Sequence, residues 1–233
     1  MRTIICIPTY NEMENIQAII SKIFEVVPEI SIVVIDDGSP DGTGKIAEDQ
    51  KKKYSNLYLI ERSGKMGLAS AYIAGFKFAL ENNFDAAMTM DADFSHNPNY
   101  LPEFLKLAEK FDFVIGSRYV DGGGTVNWGI ERKILSKGGN LYARNILSMP
   151  YHDLTGGFNL LSREVLKGLS LDTFKTEGYS FHINMKFRAH KKGFKGIETP
   201  IIFEDRRVGK SKMSTGIIVE AMLKVPFLRF EKF

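Results

Sequence analysis

Between residues 3 and 117, short β-branched runs alternate with longer stretches of helical period. That alternation confines the chain to an α/β fold, an open and mostly parallel sheet flanked by helices, because parallel neighbours must be joined by a crossover. The runs Thr3 to Ile7, Ile30 to Ile35, Leu57 to Glu61, Asp85 to Met90 and Phe113 to Gly116 read as strands. Between them, Ile16, Ile19, Ile20, Ile23 and Val27 predict a helix over 15–26, and Ala71, Tyr72, Gly75 and Phe76 another over 68–80. Asn97-Pro98 reads as an N-cap with proline in the first turn of a helix ending near Glu109.

After Arg118 the pattern changes. Asp121-Gly-Gly-Gly124-Thr125 predicts a turn or a mobile loop of the kind lids use. Beyond it come a helix over 131–148, a strand over 158–161, a helix over 179–191, a strand over 197–203, a basic loop from Asp205 to Lys212 and an amphipathic end from about 214. No polar linker divides the halves, so 1–233 is expected to be one unit, with 119–233 extending 1–118. The 233 residues, 44% apolar and 25% charged, exclude a disordered chain. A net charge of +3 suits a phosphate-bearing ligand or an anionic membrane surface and is too slight to indicate nucleic acid. The lone Cys6 sits in an apolar run as a core residue. Met1 to Pro8 enters a strand without a signal-peptide layout, and no apolar run is long enough to span a bilayer, so a cytosolic or peripheral protein is expected.

In open α/β sheets ligands collect at the carboxyl ends of the strands. Here those ends run into Pro8-Thr-Tyr10-Asn-Glu12, Asp36-Asp37-Gly38-Ser39, Asp91-Ala92-Asp93 and Gly116-Ser-Arg118. Residues two apart on a strand share a face, so Asp91 and Asp93 are expected to look the same way and offer hard oxygen ligands to Mg2+ or Mn2+. Alone, Asp-x-Asp is a common chance pattern; four polar exits on one edge make a ligand cleft. Gly42-Thr-Gly44-Lys45 is not a P-loop, because Ile46 replaces the required Ser or Thr. Gly122 to Gly124 follows no βα turn suited to a dinucleotide. His96, His152, His182 and His190 lack zinc-ligand spacing and read as packing or surface residues.

These motifs resemble the nucleotide-sugar-dependent glycosyltransferases of the GT-A fold, inverting family 2. Ile7-Pro-Thr-Tyr-Asn-Glu12, Val34-Ile-Asp-Asp-Gly-Ser39 with Pro40-Asp-Gly-Thr43, and Met90-Asp-Ala-Asp93 carry the likeness. Gly116-Ser-Arg-Tyr119, Arg132-Lys-Ile-Leu-Ser136, Asp153-Leu-Thr-Gly-Gly-Phe158 and Asp205-Arg-Arg-Val-Gly-Lys-Ser-Lys212 are similar to the branch that mannosylates dolichyl or polyprenyl phosphate. The resemblance implies that Pro8, Tyr10, Glu12, Ile35 and Asp37 hold guanosine, with a carboxylate suited to accept from a guanine edge or a ribose hydroxyl, and with Lys65-Met-Gly67 close by. It implies a metal on Asp91 and Asp93, with Ser95 as a further oxygen donor, directly or through water. Ala92, Arg118, Arg206 and Lys212 would complete the nucleotide-sugar site, and Arg118, Arg132, Ser136, Arg206 and Lys212 the acceptor-phosphate site.

Mannose transfer from GDP-mannose requires a diphosphate to leave, and Asp91, Asp93 and Arg118 would be the groups that assist it. Relatives with hydroxyl acceptors place a carboxylate where this chain reads Gly178-Tyr-Ser-Phe181, with Glu177 one residue earlier. A phosphate monoester is already ionised near neutral pH and needs no base, which agrees with a lipid-phosphate acceptor. The chain's end mixes Ile217, Ile218, Met222, Val225, Phe227, Leu228 and Phe230 with Lys224, Arg229 and Lys232, a pattern that suits a helix at a lipid interface or a terminal helix packed on the domain. The branch implies a peripheral protein on the cytoplasmic face, of the endoplasmic reticulum in a eukaryote or the plasma membrane in a prokaryote, in some members with a small membrane-anchoring subunit. The rival readings are a UDP-glucose-dependent dolichyl-phosphate glucosyltransferase and a catalytically silent nucleotide-binding regulator.

Overall fold

The structure, a computed structural model, describes residues 1–174, 178–205, 224–231 and 233. The chain runs β1 (Thr3–Thr9), α1 (Ile16–Val26), β2 (Ser31–Asp36), α2 (Thr43–Gln50), β3 (Leu57–Glu61), α3 (Leu68–Glu81), β4 (Ala86–Thr89), α4 (Leu101–Leu107) and β5 (Phe113–Ser117). It continues through β6 (Gly124–Val126), α5 (Ile130–Leu147), β7 (Asn159–Ser162), α6 (Arg163–Gly168), α7 (Gly178–Lys191), β8 (Gly196–Pro200) and β9 (Ile202–Glu204). Seven strands form one sheet in the order β3-β2-β1-β4-β7-β5-β8, and β6 pairs with β9 in a second, two-stranded sheet.

Side chains alternate across the large sheet as the strand repeat demands. Ile4, Cys6, Val33 and Ile35 face one apolar layer, which includes Tyr72 and Phe76 of α3 and Phe181 and Met185 of α7. Ile5, Ile7, Ile32 and Val34 face the other, against Ile16, Ile19 and Ile20 of α1. The sheet is therefore sandwiched between helical layers and buried on both faces. A Cβ on Gly75 would come within 2.7 Å of Cys6 Sγ, so glycine is what allows α3 to lie this close to β1.

Every strand of this sheet is parallel to its neighbour except β7, which runs antiparallel to both β4 and β5. Its reversal carries the residues before Asn159 to the edge where β1, β2, β4 and β5 end. The strand order reverses direction beside β1, the place where such sheets leave a crevice.

Three expectations change or narrow. The strand expected over 197–203 is broken: Pro200 has no N–H for the ladder, Ile201 donates to Ser117 O instead, and β9 leaves to join β6. Of the turn or mobile loop expected at the glycines it is the turn that forms: residues 121–122 turn into β6, and Gly124 N donates to Ile201 O at 3.0 Å. Gly123 is required there because a Cβ would lie 2.6 Å from Ser117 O. The short helices α2 and α6 were absent from the sequence reading; at 8 and 6 residues they are too brief to display a helical period.

Candidate active site

Hydrogen bonds to side chains at the sheet edge fasten the exits of β1 and β2 together. Buried Asp36 accepts from Thr9 Oγ1 at 2.7 Å, Ser39 N at 2.8 Å and Ser39 Oγ at 2.6 Å, and Ser39 Oγ accepts from Asn11 N at 3.0 Å. Asp41 secures the same loop through Met13 N and Thr43. Burial alone would raise the Asp41 carboxyl, but these hydrogen bonds hold it below its usual range. Tyr10 and Glu12 thus stand on a braced turn.

The next residue, Asp37, already has protein partners for both carboxylate oxygens. Oδ2 accepts from Met66 N at 3.0 Å, and Oδ1 lies 3.0 Å from Arg62 Nε. The Arg62 contact lacks hydrogen-bond angles and is an ion pair. Lys65 Nζ sits 4.8 Å over the Tyr10 ring. Tyr10, Asp37, Lys65 and Met66 therefore converge, with Arg62 as a member that the sequence reading did not include. The Asp37 carboxylate is thus already half of an ion pair with Arg62. The Ile35 side chain is fully buried against α3, so any contact of this residue with a nucleotide would be through its backbone. Pro8, its partner in the ladder, is half-buried.

β4 ends at Thr89, so Asp91 and Asp93 lie in the bend after it, and strand alternation does not set their relation. The Asp91 side chain is 40% exposed, whereas Asp93 is 5% exposed and accepts from Ser95 N at 3.1 Å. Ala92 between them is buried, and Phe94, at φ +64°, folds the chain back. That reversal brings His96 Nδ1 to accept from Asp91 N at 3.0 Å. A nitrogen that accepts from an N–H carries no proton, and burial lowers the His96 pKa further, so its 4.0 Å approach to Asp91 Oδ2 is not an ion pair. Tyr72 OH donates to Asp91 Oδ1 at 3.3 Å. Two carboxylates beside a Ser95 hydroxyl that is buried without a partner are hard oxygen donors, and they fit a divalent cation. Among the described residues no three His, Cys, Asp or Glu side chains gather to hold a metal, so such an ion would take its remaining ligands from phosphate or water.

The reversed β7 supplies the next wall. Arg118, at the end of β5, is 7% exposed and clamped by fully buried Asp153: Nε donates to Oδ2 and Nη2 to Oδ1, both at 2.7 Å, and the Arg118 backbone N–H also donates to Oδ2. Burial would raise the Asp153 carboxyl, but Arg118 outweighs it and holds it below the usual range. The loop from 152 to 157 is tied on every side. Glu198 accepts from His152 N and Asp153 N, Asn140 Oδ1 accepts from Leu154 N and Thr155 N, and Thr89 Oγ1 donates to Gly157 O. From α7, the ammonium of fully buried Lys186 donates to Leu154 O at 3.0 Å and Gly156 O at 2.7 Å.

Burial lowers the Lys186 pKa to about 7 from 10.5, with Asp153 opposing the shift. The folded state therefore binds fewer protons than the unfolded state between those values, and stability should rise with pH from about 7 to 10.5. Lys186→Met should flatten that rise. Urea midpoints measured across the window check this, and parallel profiles for the two proteins would refute it.

On the far side of Arg118, Tyr119 OH donates to Ser136 Oγ at 2.6 Å, and Arg132 pairs with Asp205 at 2.8 Å. Trp128 lies between the two arginines, 5.4 Å from the Arg118 guanidinium and 4.0 Å from that of Arg132. Arg118, Arg132 and Ser136 are thereby brought into one cluster. His96 links it to the Asp91 bend by stacking on Phe158 and meeting Phe203 edge-on, and Phe203 lies 5.6 Å from Arg118. Arg206, Lys212 and Glu177 lie outside the described residues. The sequence reading gave no separate role to Asp153, Lys186 or Trp128, whereas His96 is the packing residue its reading allowed. Asp153 stood in a recognised motif, and Trp128 is the sole tryptophan of the chain.

The described part of the C-terminal segment shows features of both alternatives. Residues 224–228 are helical, but Val225 and Leu228 are buried in the core, while Phe227 and Phe230 are 73% and 80% exposed. Most of the segment lies outside the described residues, and among those described no helix is long and apolar enough to cross a membrane.

Known proteins resemble this chain in sequence and in fold. The chain is 41% identical over 225 residues to an undecaprenyl-phosphate mannosyltransferase of Micrococcus luteus, covering 97% of this chain and 93% of that one. It is 42% identical over 226 residues to a polyprenol monophosphomannose synthase of Mycolicibacterium smegmatis, covering 96% and 85%. Its fold matches a crystal structure of glucosyl-3-phosphoglycerate synthase from Mycobacterium tuberculosis in complex with Mn2+, UDP-glucose and phosphoglyceric acid. That match has a TM-score of 0.70 at 16% identity and covers 98% of this chain and 79% of that one. Residues 4–170 match the glycosyl transferase family 2 profile, and with relatives this similar over nearly their whole length the chain belongs to that family.

Proposed function

We propose that the protein transfers mannose from GDP-mannose to a dolichyl or polyprenyl phosphate, inverting the configuration at C1. The observation that carries the reading is the pair of arginines, Arg118 and Arg132, around Trp128, placed one aromatic contact away from the Asp91–Asp93 bend. A sugar transferase with a neutral acceptor needs cations for the donor's phosphates alone, so Arg132 beside Arg118 supports an acceptor that carries a phosphate of its own. The extensive identity to mannosyltransferases named for undecaprenyl phosphate and polyprenol supports the same acceptor class.

In this reading Tyr10, Glu12, Asp37 and Lys65 hold the nucleoside, with the Asp37–Arg62 pair facing the base or ribose. Asp91 and Asp93, assisted by Ser95, would hold Mg2+ or Mn2+, which when bound neutralises charge on the departing diphosphate. Arg118, kept rigid by Asp153, presents a fixed positive charge toward the phosphates without reorganising. An oxygen of the acceptor phosphate attacks C1, the C1–O bond to GDP breaks, and GDP leaves. The nucleophile arrives ionised, so no side chain has to remove a proton. Arg132 and Ser136, with Arg206 and Lys212, serve the acceptor. Residues 1–118 then handle the donor and 119–233 the acceptor within a single unit, since β7 and β8 complete the sheet that the first half begins.

A lipid acceptor requires access to a bilayer. Ile130, Ile134 and Leu141 of α5 are 76%, 67% and 58% exposed, and Arg229 donates to Ile146 O, which sets Phe227 and Phe230 near the same helix. Such aromatic and aliphatic groups beside Lys133 and Lys137 suit peripheral attachment to an anionic surface. The test is a donor assay with a short polyprenyl phosphate and Mg2+ or Mn2+. Mannosyl lipid from GDP-mannose is expected. Glucose transfer from UDP-glucose alone would move the protein to the glucosyl branch, and no product from either donor would leave a binding module.

A further inference from the structure

Trp128 is 7% exposed, and two guanidinium groups share its ring. Among the described residues Arg118 pairs with Asp153 and Arg132 with Asp205, and the Tyr119 and Phe203 rings lie 5.2 and 5.6 Å from the Arg118 guanidinium. A ring quadrupole attracts both cations and lets them stand closer than their charges alone would permit. Within this cluster two donors have no acceptor: the Trp128 indole N–H and the Arg132 Nε–H are both buried and unpartnered. Buried N–H groups are almost always paired, and leaving one unmade is destabilising. Two of them on residues in ring contact, with no buried side-chain acceptor of Asp153, Asp205, Tyr119 or Ser136 left unpartnered among the described residues, call for a ligand that brings oxygen acceptors and negative charge.

We propose that Trp128 is a binding residue of the acceptor site. Its indole N–H and the Arg132 Nε–H donate to phosphate oxygen of the prenyl phosphate, while its ring holds Arg118 and Arg132 at their separation. The inference rests on the acceptor reading above and adds a neutral donor to a set of cations. It also separates the roles of the two faces of one side chain: the ring positions cations, and the edge contacts the ligand. A phosphate-bearing ligand is the chemistry required, and the donor's diphosphate is the competing source.

Because Trp128 is the chain's sole tryptophan, its indole N–H gives a single resonance in the 15N-labelled full-length protein. Farnesyl phosphate, titrated without donor, should shift this resonance saturably with the affinity found by calorimetry, whereas farnesol and GDP should leave it in place. Trp128→Phe, which keeps the ring and removes the N–H, should bind farnesyl phosphate about tenfold more weakly, the size of one charge-assisted hydrogen bond. Calorimetric binding with an unmoved indole signal overturns the Trp128 assignment while leaving the acceptor reading intact. A shift with GDP but not with farnesyl phosphate assigns the donors to the nucleotide side and overturns it as well. Absence of any farnesyl phosphate binding removes this inference together with the acceptor reading. The wild-type measurement needs no variant to fold.

Discussion

Asp93→Asn is expected to lower turnover by about 10²- to 10³-fold, the scale seen when one preorganised electrostatic contact to a transition state is removed. The substitution preserves shape and the hydrogen bond from Ser95 N, because the amide oxygen still accepts. It deletes one of the two negative charges of the bend, so that Asp91 alone would remain to hold a cation. The side chain is 5% exposed, so its environment is preformed and the loss falls on ligand binding, not on folding. Manganese binding followed by paramagnetic broadening should weaken in parallel, with an unchanged urea midpoint. A variant that turns over normally at ordinary metal concentration would refute the metal role.

Asp153→Ala is expected to have the largest effect on stability, about 3–5 kcal/mol, because it leaves the Arg118 guanidinium buried without its carboxylate. The same change removes the acceptor for the Arg118 backbone N–H and for Gly156 N. Urea unfolding measures the loss, and a change below about 1 kcal/mol, the range of an exposed pair, would argue against the clamp. Arg118→Met combined with Asp153→Ala should recover part of the stability, since removing both charges spares the uncompensated one. It should not recover transfer. Stability and activity then part company, which distinguishes an arginine needed for phosphate from one needed only for folding.

The contrast between β3 and the segment after Gly196 shows how far local sequence reaches. Leu57–Glu61 forms the strand expected of it, because its β-branched and aromatic run lies between clear turn residues. The segment after Gly196 has an equally apolar pattern but divides at Pro200, where the ladder loses a donor and Ser117 O captures the next N–H. Similarly, Asp91 and Asp93 are legible as a pair, yet their inequality, one exposed and one buried, arises from a reversal at Phe94 and from His96. Leu228 fits a membrane pattern by composition, but it is buried in the core. Spacing reports that a side chain is apolar and periodic; it does not report what covers it.

The sequence by itself determined the α/β class, the strands whose carboxyl ends carry polar residues, and the family, because hydrophobic period and short motifs are local properties of the chain. Tertiary structure alone decided that β7 runs backward between β4 and β5. That reversal brings Asp153 to Arg118 across 35 residues and lets Lys186 fasten the loop from α7. It also decided that Trp128, from beside a two-stranded sheet, stands between two arginines. Strand direction and long-range ion pairs depend on which surfaces are left to bury once the local elements exist, and no window of sequence contains that competition.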